Sequence, residues 1–489
     1  MARSYKSLRR NFATNYIENL GDQFFFMGYS PDTYQSNSIE AERNAKVCSS
    51  YARKVMPTEV AKVIKRYDWT SDTLYDRYKT DIDLRDKKYY VKNSQDNVYI
   101  CLENSNLGAS GANQSNVEPT GRSSVPFRTN DGYLWKYVYT IDKHLKDFLK
   151  TVNSVDYMPV KILDQAAVRR ANVGTTDRSQ YNVERQLGGK IESATIDLSE
   201  TIGFSTNSPT LTVIGDGNKE ATVTLSVNNN VVNGISVTNS GSGYNYATVS
   251  LDDTPTTHTV SEVEAKISLN ISPENTRRSY VPAESYFHIE KIMYNIRVDT
   301  ADLFSVVRQR EFNFYGLSKD YILNKSNVSL PAGSELLTDV KKNYRLSQRM
   351  RITGQTGSSV SSVAFDYSTS SPTFNLGDGI TDIDDVKHQA LVTFFGRPRG
   401  YTGVNEAVLE IVRETGTGGN GTGGQFLNTY AIRKGFGATS GTKYYNIQSS
   451  FATADIKPGS GDVLYINYLD SNITMKNELV SNFVFLQEV

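Results

Sequence analysis

Four histidines, His144, His258, His288 and His388, titrate nearest neutral pH and would be the first candidates for a general base. None sits in a His-Glu-x-x-His pattern, which would set two imidazoles on one helix face around a metal. No Gly-x-Ser-x-Gly elbow is present to expose a nucleophilic serine. His288, between Phe287 and Ile289 in a strand-like run, reads as a packed or partner-facing residue. Asp378, Asp382, Asp384, Asp385 and His388 form the densest set of potential metal ligands. The run lacks the glycine and terminal glutamate of a calcium loop, so it reads as a solvated acidic loop. Gly416-Thr417-Gly418-Gly419-Asn420-Gly421 matches a dinucleotide-binding glycine pattern in form only. The pattern needs a helix N-terminus behind it to meet a pyrophosphate, and here more glycine follows, then Phe426-Leu427-Asn428. Cys48 and Cys101 lie far apart without metal-ligand spacing and read as free buried thiols from a reducing compartment. Aspartates and glutamates are abundant, but no spacing marks a glycoside-cleaving pair. Arg308/Arg310 and Arg397/Arg399 could meet acidic partner surfaces or simply face solvent. The expectation is a chain without catalytic, cofactor or metal residues, and not an enzyme.

Composition points the same way. A chain of 489 residues exceeds one hydrophobic core, so about two or three domains are expected. With 31 Tyr and 20 Phe against 2 Trp, it suits half-buried strands and protein interfaces, because tyrosine buries its ring while its hydroxyl stays polar. Lys+Arg and Asp+Glu balance at 53 each, which argues against a nucleic-acid partner. No run approaches the roughly 18 apolar residues of a membrane span. The basic start (Arg3, Lys6, Arg9, Arg10) leads into Asn11 to Asp22 without an apolar stretch, so no secretion signal is expected.

The elements that would position these residues can be read from periodicity. Val47, Tyr51 and Val55 recur at helical spacing, and Val60, Val63, Ile64 and Tyr67 do so after Pro57. The spacing predicts two amphipathic helices broken at Pro57, with Thr58 as an N-cap ahead of Glu59 and Trp69 just beyond. Tyr89–Lys92 and Val98–Leu102, around the polar Asn93–Asn97, predict a hairpin. A Gly/Ser/Asn-rich loop follows over 104–130. The turn pair Asp131-Gly132 then opens a strand in which Tyr133, Trp135, Tyr137 and Tyr139 alternate with Leu134, Lys136 and Val138. Trp69 and Trp135 are expected to be core anchors.

Residues 165–275 are poor in Trp and Phe and rich in Thr, Val, Ser, Asn and Gly. Short strands are predicted at 194–198, 211–214, 221–227, 231–237, 247–251 and 260–269, with turns at Gly215-Asp216-Gly217 and Gly241-Ser242-Gly243-Tyr244. Beyond 280, strands mix with long polar loops, and Gly416–Gly424 reads as a glycine-rich tip. Val463, Tyr465 and Asn467 alternate near the end, and Phe483, Phe485 and Gln487 share one strand face. The fold class expected is α+β, mainly β. It has antiparallel β-sandwich-like domains, a few N-terminal helices and an inserted all-β module, divided as 1–165, 166–279 and 280–489.

Three stretches together resemble one family. The first runs from Val55-Met56-Pro57-Thr58-Glu59-Val60 through Val63-Ile64-Lys65-Arg66-Tyr67-Asp68-Trp69. The second joins Val98-Tyr99-Ile100-Cys101-Leu102-Glu103-Asn104 and Glu118-Pro119-Thr120-Gly121 to Asp131-Gly132-Tyr133-Leu134-Trp135-Lys136-Tyr137. The third is Gly461-Asp462-Val463-Leu464-Tyr465-Ile466-Asn467 with Asn472-Ile473-Thr474. Gly21 to Tyr29 also fits that family's opening strand. In this order they resemble the gene-8-type baseplate wedge subunit of T-even-like contractile-tailed bacteriophages, over about 1–165 and 280–489.

The resemblance implies a non-enzymatic structural protein without cofactor. It implies a homodimer that docks with other wedge proteins, including the products of genes 6, 7 and 10, in a virion tail baseplate assembled in the host cytoplasm. Trp69, Asp131, Gly132, Tyr133, Trp135, Tyr137, Gly461, Tyr465 and Asn467 are its structural or interface motif. Loops 104–130 and 415–424 would reach neighbouring wedge proteins. The sequence departs from the family at 165–275, an insertion, and at Tyr468-Leu469-Asp470, where polar or basic residues are common. Two other readings stay open: a receptor- or glycan-binding tail protein using the inserted module, and a tail-associated cell-wall hydrolase.

Overall fold

The computed structural model describes residues 2–18, 20, 23–32, 38–79, 83–104, 113–163, 175–273, 281–299, 309–323, 343–356, 361–383, 387–398, 400–415, 431–437, 443–448, 453–476 and 480–488. The fold is mainly β, built from antiparallel sheets with few helices. No helix among the described residues is long and apolar enough to cross a membrane. The chain divides into two compact units. The first comprises Met1–Ile17, Val60–Asn295 and Val484–Val489, and the second Glu18–Glu59 and Ile296–Phe483. The segment 166–279 lies inside the first.

In the first unit, a four-stranded sheet runs in the order Tyr90–Lys92, Asn97–Glu103, Leu134–Thr140, Phe127–Arg128. The predicted hairpin is here, and Asp96 at its turn takes a left-handed φ of 60°. A sheet places Val60–Lys65 between Val155–Pro159, with Lys150–Val152 beyond it, and the start of Lys291–Asp299, which belongs to this unit as far as Asn295. The helix predicted after Pro57 is therefore a strand. Positions 60–64 are buried without a break, so both faces are covered, and consecutive apolar positions satisfy a helical spacing by accident. The β-branched Val60, Val63 and Ile64 favour the pleated form. Pro57–Glu59 is a single 3-10 turn, and Thr58 caps no α-helix.

The inserted segment forms three two-stranded ribbons: Ile191–Ile196 with Ile267–Ile271, Leu211–Gly215 with Ala247–Leu251, and Thr222–Asn228 with Val231–Asn239. They share a small core that includes Ile202, Phe204, Val223, Val232 and Val263. Two helices, Thr175–Gln186 and Val260–Ala265, also lie in this segment expected to be all-β. The strand predicted over 260–269 begins only at Ile267. Thr259 and Glu262 form a reciprocal capping box that starts a helix first.

In the second unit, the helix Ile39–Cys48 is capped by Ser38, whose side chain accepts from Ala41 N. It ends earlier than its spacing predicted: Ser49–Lys54 is a strand, so Tyr51 belongs to a sheet. That five-stranded sheet runs Asn343–Arg345, Ser49–Lys54, Gln23–Gly28, Gln309–Lys319, Asp462–Lys476. The opening strand expected near Gly21 to Tyr29 is its centre. A seven-stranded sheet is the other half of the unit. Gln348–Thr356 pairs with Glu406–Thr415 on one edge and Lys443–Ile447 on the other, and the chain of pairings through Gln389–Gly396, Gly379–Asp382 and Ala431–Lys434 closes it into a barrel. Closure leaves the six strands of this ring no open edge, and the seventh, Ser361–Val363, pairs with Gln348–Thr356 outside it. Inside lie Met350, Ile352, Ile380, Val392, Leu409 and Ile411, all essentially inaccessible to solvent.

Candidate functional site

The motif of the second resembling stretch sits on the four-stranded sheet of the first unit. Cys101 stands opposite Trp135 and Tyr99 opposite Tyr137 in the antiparallel register. One face of this sheet, with Tyr75, Val91, Tyr133 and Val183, forms a fully buried cluster, and Trp69 and Phe127 close its margin. The rings meet in favoured geometries. Tyr133 stacks on Trp135 at 5.3 Å, and Tyr75 meets Trp135 edge-on at 5.7 Å. Such pairs add about 0.5–1.5 kcal/mol each beyond the area they bury. Among the described residues the Trp135 Nε1–H finds no acceptor, so this ring contributes by packing. Trp135 is a core residue, as its alternation predicted, and Trp69 is half-buried beside it.

Asp131 organises the loop before that strand. Its Oδ2 accepts from Asn116 N at 2.9 Å, Val117 N at 3.0 Å and Ser115 Oγ at 3.0 Å. Its Oδ1 accepts from Thr129 Oγ1 and from Tyr133 N at 3.3 Å. Burial pushes this carboxyl up, but the hydrogen bonds from Thr129, Val117, Asn116 and Ser115 outweigh it and hold its pKa below the usual range. Gly132 follows with φ of 91°, a conformation that side chains with a Cβ rarely adopt. Trp69 Nε1 donates to Ser115 Oγ at 3.1 Å, and the Tyr133 hydroxyl donates to Asn113 O. Trp69, Asp131 and Tyr133 thus converge on one short segment, 113–117, and hold it. What the motif does chemically is fix a loop on a rigid sheet.

The opposite face of the same strand carries a feature the sequence reading missed. Lys136 is buried and donates to Glu192 Oε1, and the Tyr286 hydroxyl donates to the same carboxylate at 2.7 and 2.8 Å. The ammonium also lies 5.8 Å from the Tyr286 ring centre. Burial, then the Glu192 charge, drives the Tyr286 hydroxyl pKa well up. A second buried pair, Lys62 with Glu284 at 2.7 Å, also receives Thr14, whose hydroxyl accepts from the ammonium at 2.6 Å. The one signal available was a lysine inside each apolar run, because a lysine there must find an acid.

In the second unit, Gly461 has φ of 89° and leads into the strand Asp462–Lys476. Tyr465 stands opposite Leu317 and Asn467 opposite Tyr315, and Asn467 Nδ2 donates to the Tyr315 hydroxyl at 3.2 Å. Burial pushes the Tyr465 hydroxyl up to about 12. Tyr468 packs its ring 5.1 Å from Phe314 and accepts from Asn44 Nδ2 at 2.8 Å. It serves this unit's own packing.

The remaining candidates are dispersed. Asp378 pairs with Lys434 at 2.7 Å and Asp382 with His388 at 3.4 Å, while Asp384 and Asp385 lie outside the described residues. Among the described residues no group of His, Cys, Asp and Glu is placed to hold a metal. Cys48 and Cys101 are free and buried, and burial raises the Cys101 thiol well above its ordinary pKa. His258 contacts Glu200 at 3.1 Å, His144 is exposed, and His288 lines a small cleft with Lys65, Tyr89 and Tyr157. The Gly416–Gly424 tip, residues 105–112 of the long loop, Arg308, Arg399 and the Arg310 side chain fall outside the described residues. No protein-family model matches the chain, and no curated protein does.

Proposed function

We propose that this chain is a structural subunit of a phage tail baseplate wedge, forming a homodimer and binding other wedge proteins through its surfaces. The observation that carries the reading is what the resembling residues do in the fold. Trp69, Asp131, Gly132, Tyr133, Trp135 and Tyr137 hold a sheet and its loop, an architecture that presents shape to a partner. Buried ion pairs, Lys136 with Glu192 and Lys62 with Glu284 in the first unit, and the buried Glu410 held by the partly exposed Arg349 in the second, consume charged groups in rigid internal contacts. Balanced charge limits repulsion between repeated copies in an assembly. Static light scattering tests the reading: a dimer mass is expected at tens of micromolar, and a strict monomer there would overturn it.

A further inference from the structure

One cation of the second unit is held by stacking rather than by an acid. The barrel strand Gln389–Gly396 ends beside Arg397, whose guanidinium lies over the Tyr367 ring at 4.7 Å. Tyr367 in turn lies parallel to Phe395 at 5.2 Å and 11°, and its hydroxyl donates to Glu406 O. Phe365 N donates to Val404 O at 2.6 Å and ties the two walls of an open groove together. The groove holds about 460 Å³ and is lined by residues 364–368, Arg397 and Val404. Arg397 is exposed, and among the described residues it has no ion pair or hydrogen bond.

Of the neighbouring carboxylates, Asp366 accepts from Ser368 N at 2.8 Å and Glu406 pairs with Arg351. A guanidinium stacked on an aromatic face has already lost much of its rotamer freedom, and its five donors match a carboxylate in a two-point fork. Val404, 40% exposed, supplies an apolar ledge beside it.

We propose that this groove docks an acidic segment of another protein, one carboxylate side chain paired to Arg397 and an adjacent apolar side chain against Val404. The groove is open along its length, which suits an extended peptide better than an enclosed small molecule. Asp366 in the lining disfavours a string of anions, so a phosphodiester chain fits poorly. The inference stands on the barrel alone and does not require the wedge reading.

The test uses the full chain and a fluorescein-labelled decapeptide with one glutamate beside one leucine in an otherwise glycine–serine sequence, followed by fluorescence anisotropy. Saturable binding is expected, weakened about five- to tenfold by R397A and also weakened by R397K, as for an interface arginine that anchors a pocket. Melting temperatures should fall only slightly, since Arg397 is exposed and R397A removes no more than its stacking on Tyr367. Equal affinity for R397A, or no saturable binding to the unaltered chain, would overturn the proposal. Displacement of the peptide by millimolar inorganic phosphate would reduce the site to a general anion site and also overturn it. A change in oligomeric mass on R397A would make the occupant a second copy of this chain and refute the partner assigned.

Discussion

The aromatic sheet of the first unit and the barrel of the second bury their side chains by different chemistry. The barrel interior is mostly aliphatic along its staves, with Met350, Ile352, Ile380, Val392, Leu409 and Ile411, and its aromatic rings Phe365, Phe374 and Tyr445 pack on one another as a group. The sheet region is built from tyrosines whose hydroxyls leave the core to grip backbone carbonyls. Tyr89 donates to Tyr286 O at 2.9 Å, Tyr90 to Lys65 O at 2.7 Å and Tyr139 to Pro159 O at 2.9 Å. Aliphatic packing fixes a volume, whereas a tyrosine fixes a volume and a distant stretch of backbone together. The barrel is therefore held by closure, and the first unit by ties between its sheets and connecting segments.

The largest effect should come from removing the centre of the aromatic cluster. Trp135→Ala is expected to destabilise the first unit by about 3–5 kcal/mol, and Ile352→Ala the barrel by about 2–5 kcal/mol. Hydrogen exchange locates each loss: deprotection confined to the mutated unit is expected. Trp135→Phe should recover most of the loss, because Nε1 has no partner among the described residues to forfeit. Unchanged exchange in Trp135→Ala would remove this residue from the core and undo the contrast drawn above.

Next in size is the buried pair behind that sheet. Lys136→Met alone leaves Glu192 charged and buried with only the Tyr286 hydroxyl, and is expected to cost about 3–5 kcal/mol. Adding Glu192→Leu should restore much of the stability, since a well-packed apolar pair can replace a buried ion pair. Chemical denaturation of the two single variants and the double variant reads the coupling. Additive losses would mean that the two side chains act independently.

What was legible in the sequence follows the range of the contacts. The hairpin around Asn93–Asn97, the Asp131-Gly132 turn and the ribbon Thr222–Asn228 with Val231–Asn239 are local, and turn residues with period-two alternation announced them, whereas the other two ribbons of the inserted segment join strands remote in the chain. Trp135 and Asp131 were legible for the same reason. The strand Val60–Lys65 was not, because burial on both faces erases the alternation that separates strand from helix. The helix at Val260–Ala265 was written in Thr259-x-x-Glu262, but the β-rich neighbourhood outweighed that signal. Barrel closure, Glu192 opposite Lys136 and Glu284 opposite Lys62 join residues remote in the chain, and no local pattern carries such pairings.

The smallest effect expected, and the one that isolates the loop from the core, belongs to Asp131. Its folded pKa lies below the ordinary carboxylate value, so its contribution is complete above about 3.9 and is lost as pH falls through the folded value. Asp131→Asn replaces one acceptor oxygen by an amide that cannot receive the N–H groups of Asn116 and Val117. The variant should melt slightly below the unaltered chain at pH 7. The gap should narrow as pH falls below about 3.9, because the native carboxyl loses its advantage as the solution approaches its lowered folded pKa. Melting curves at pH 7, 5, 4 and 3 decide it. A gap that stays constant would mean that the charge does not hold segment 113–117, leaving Trp69 and Tyr133 as its only ties from this motif.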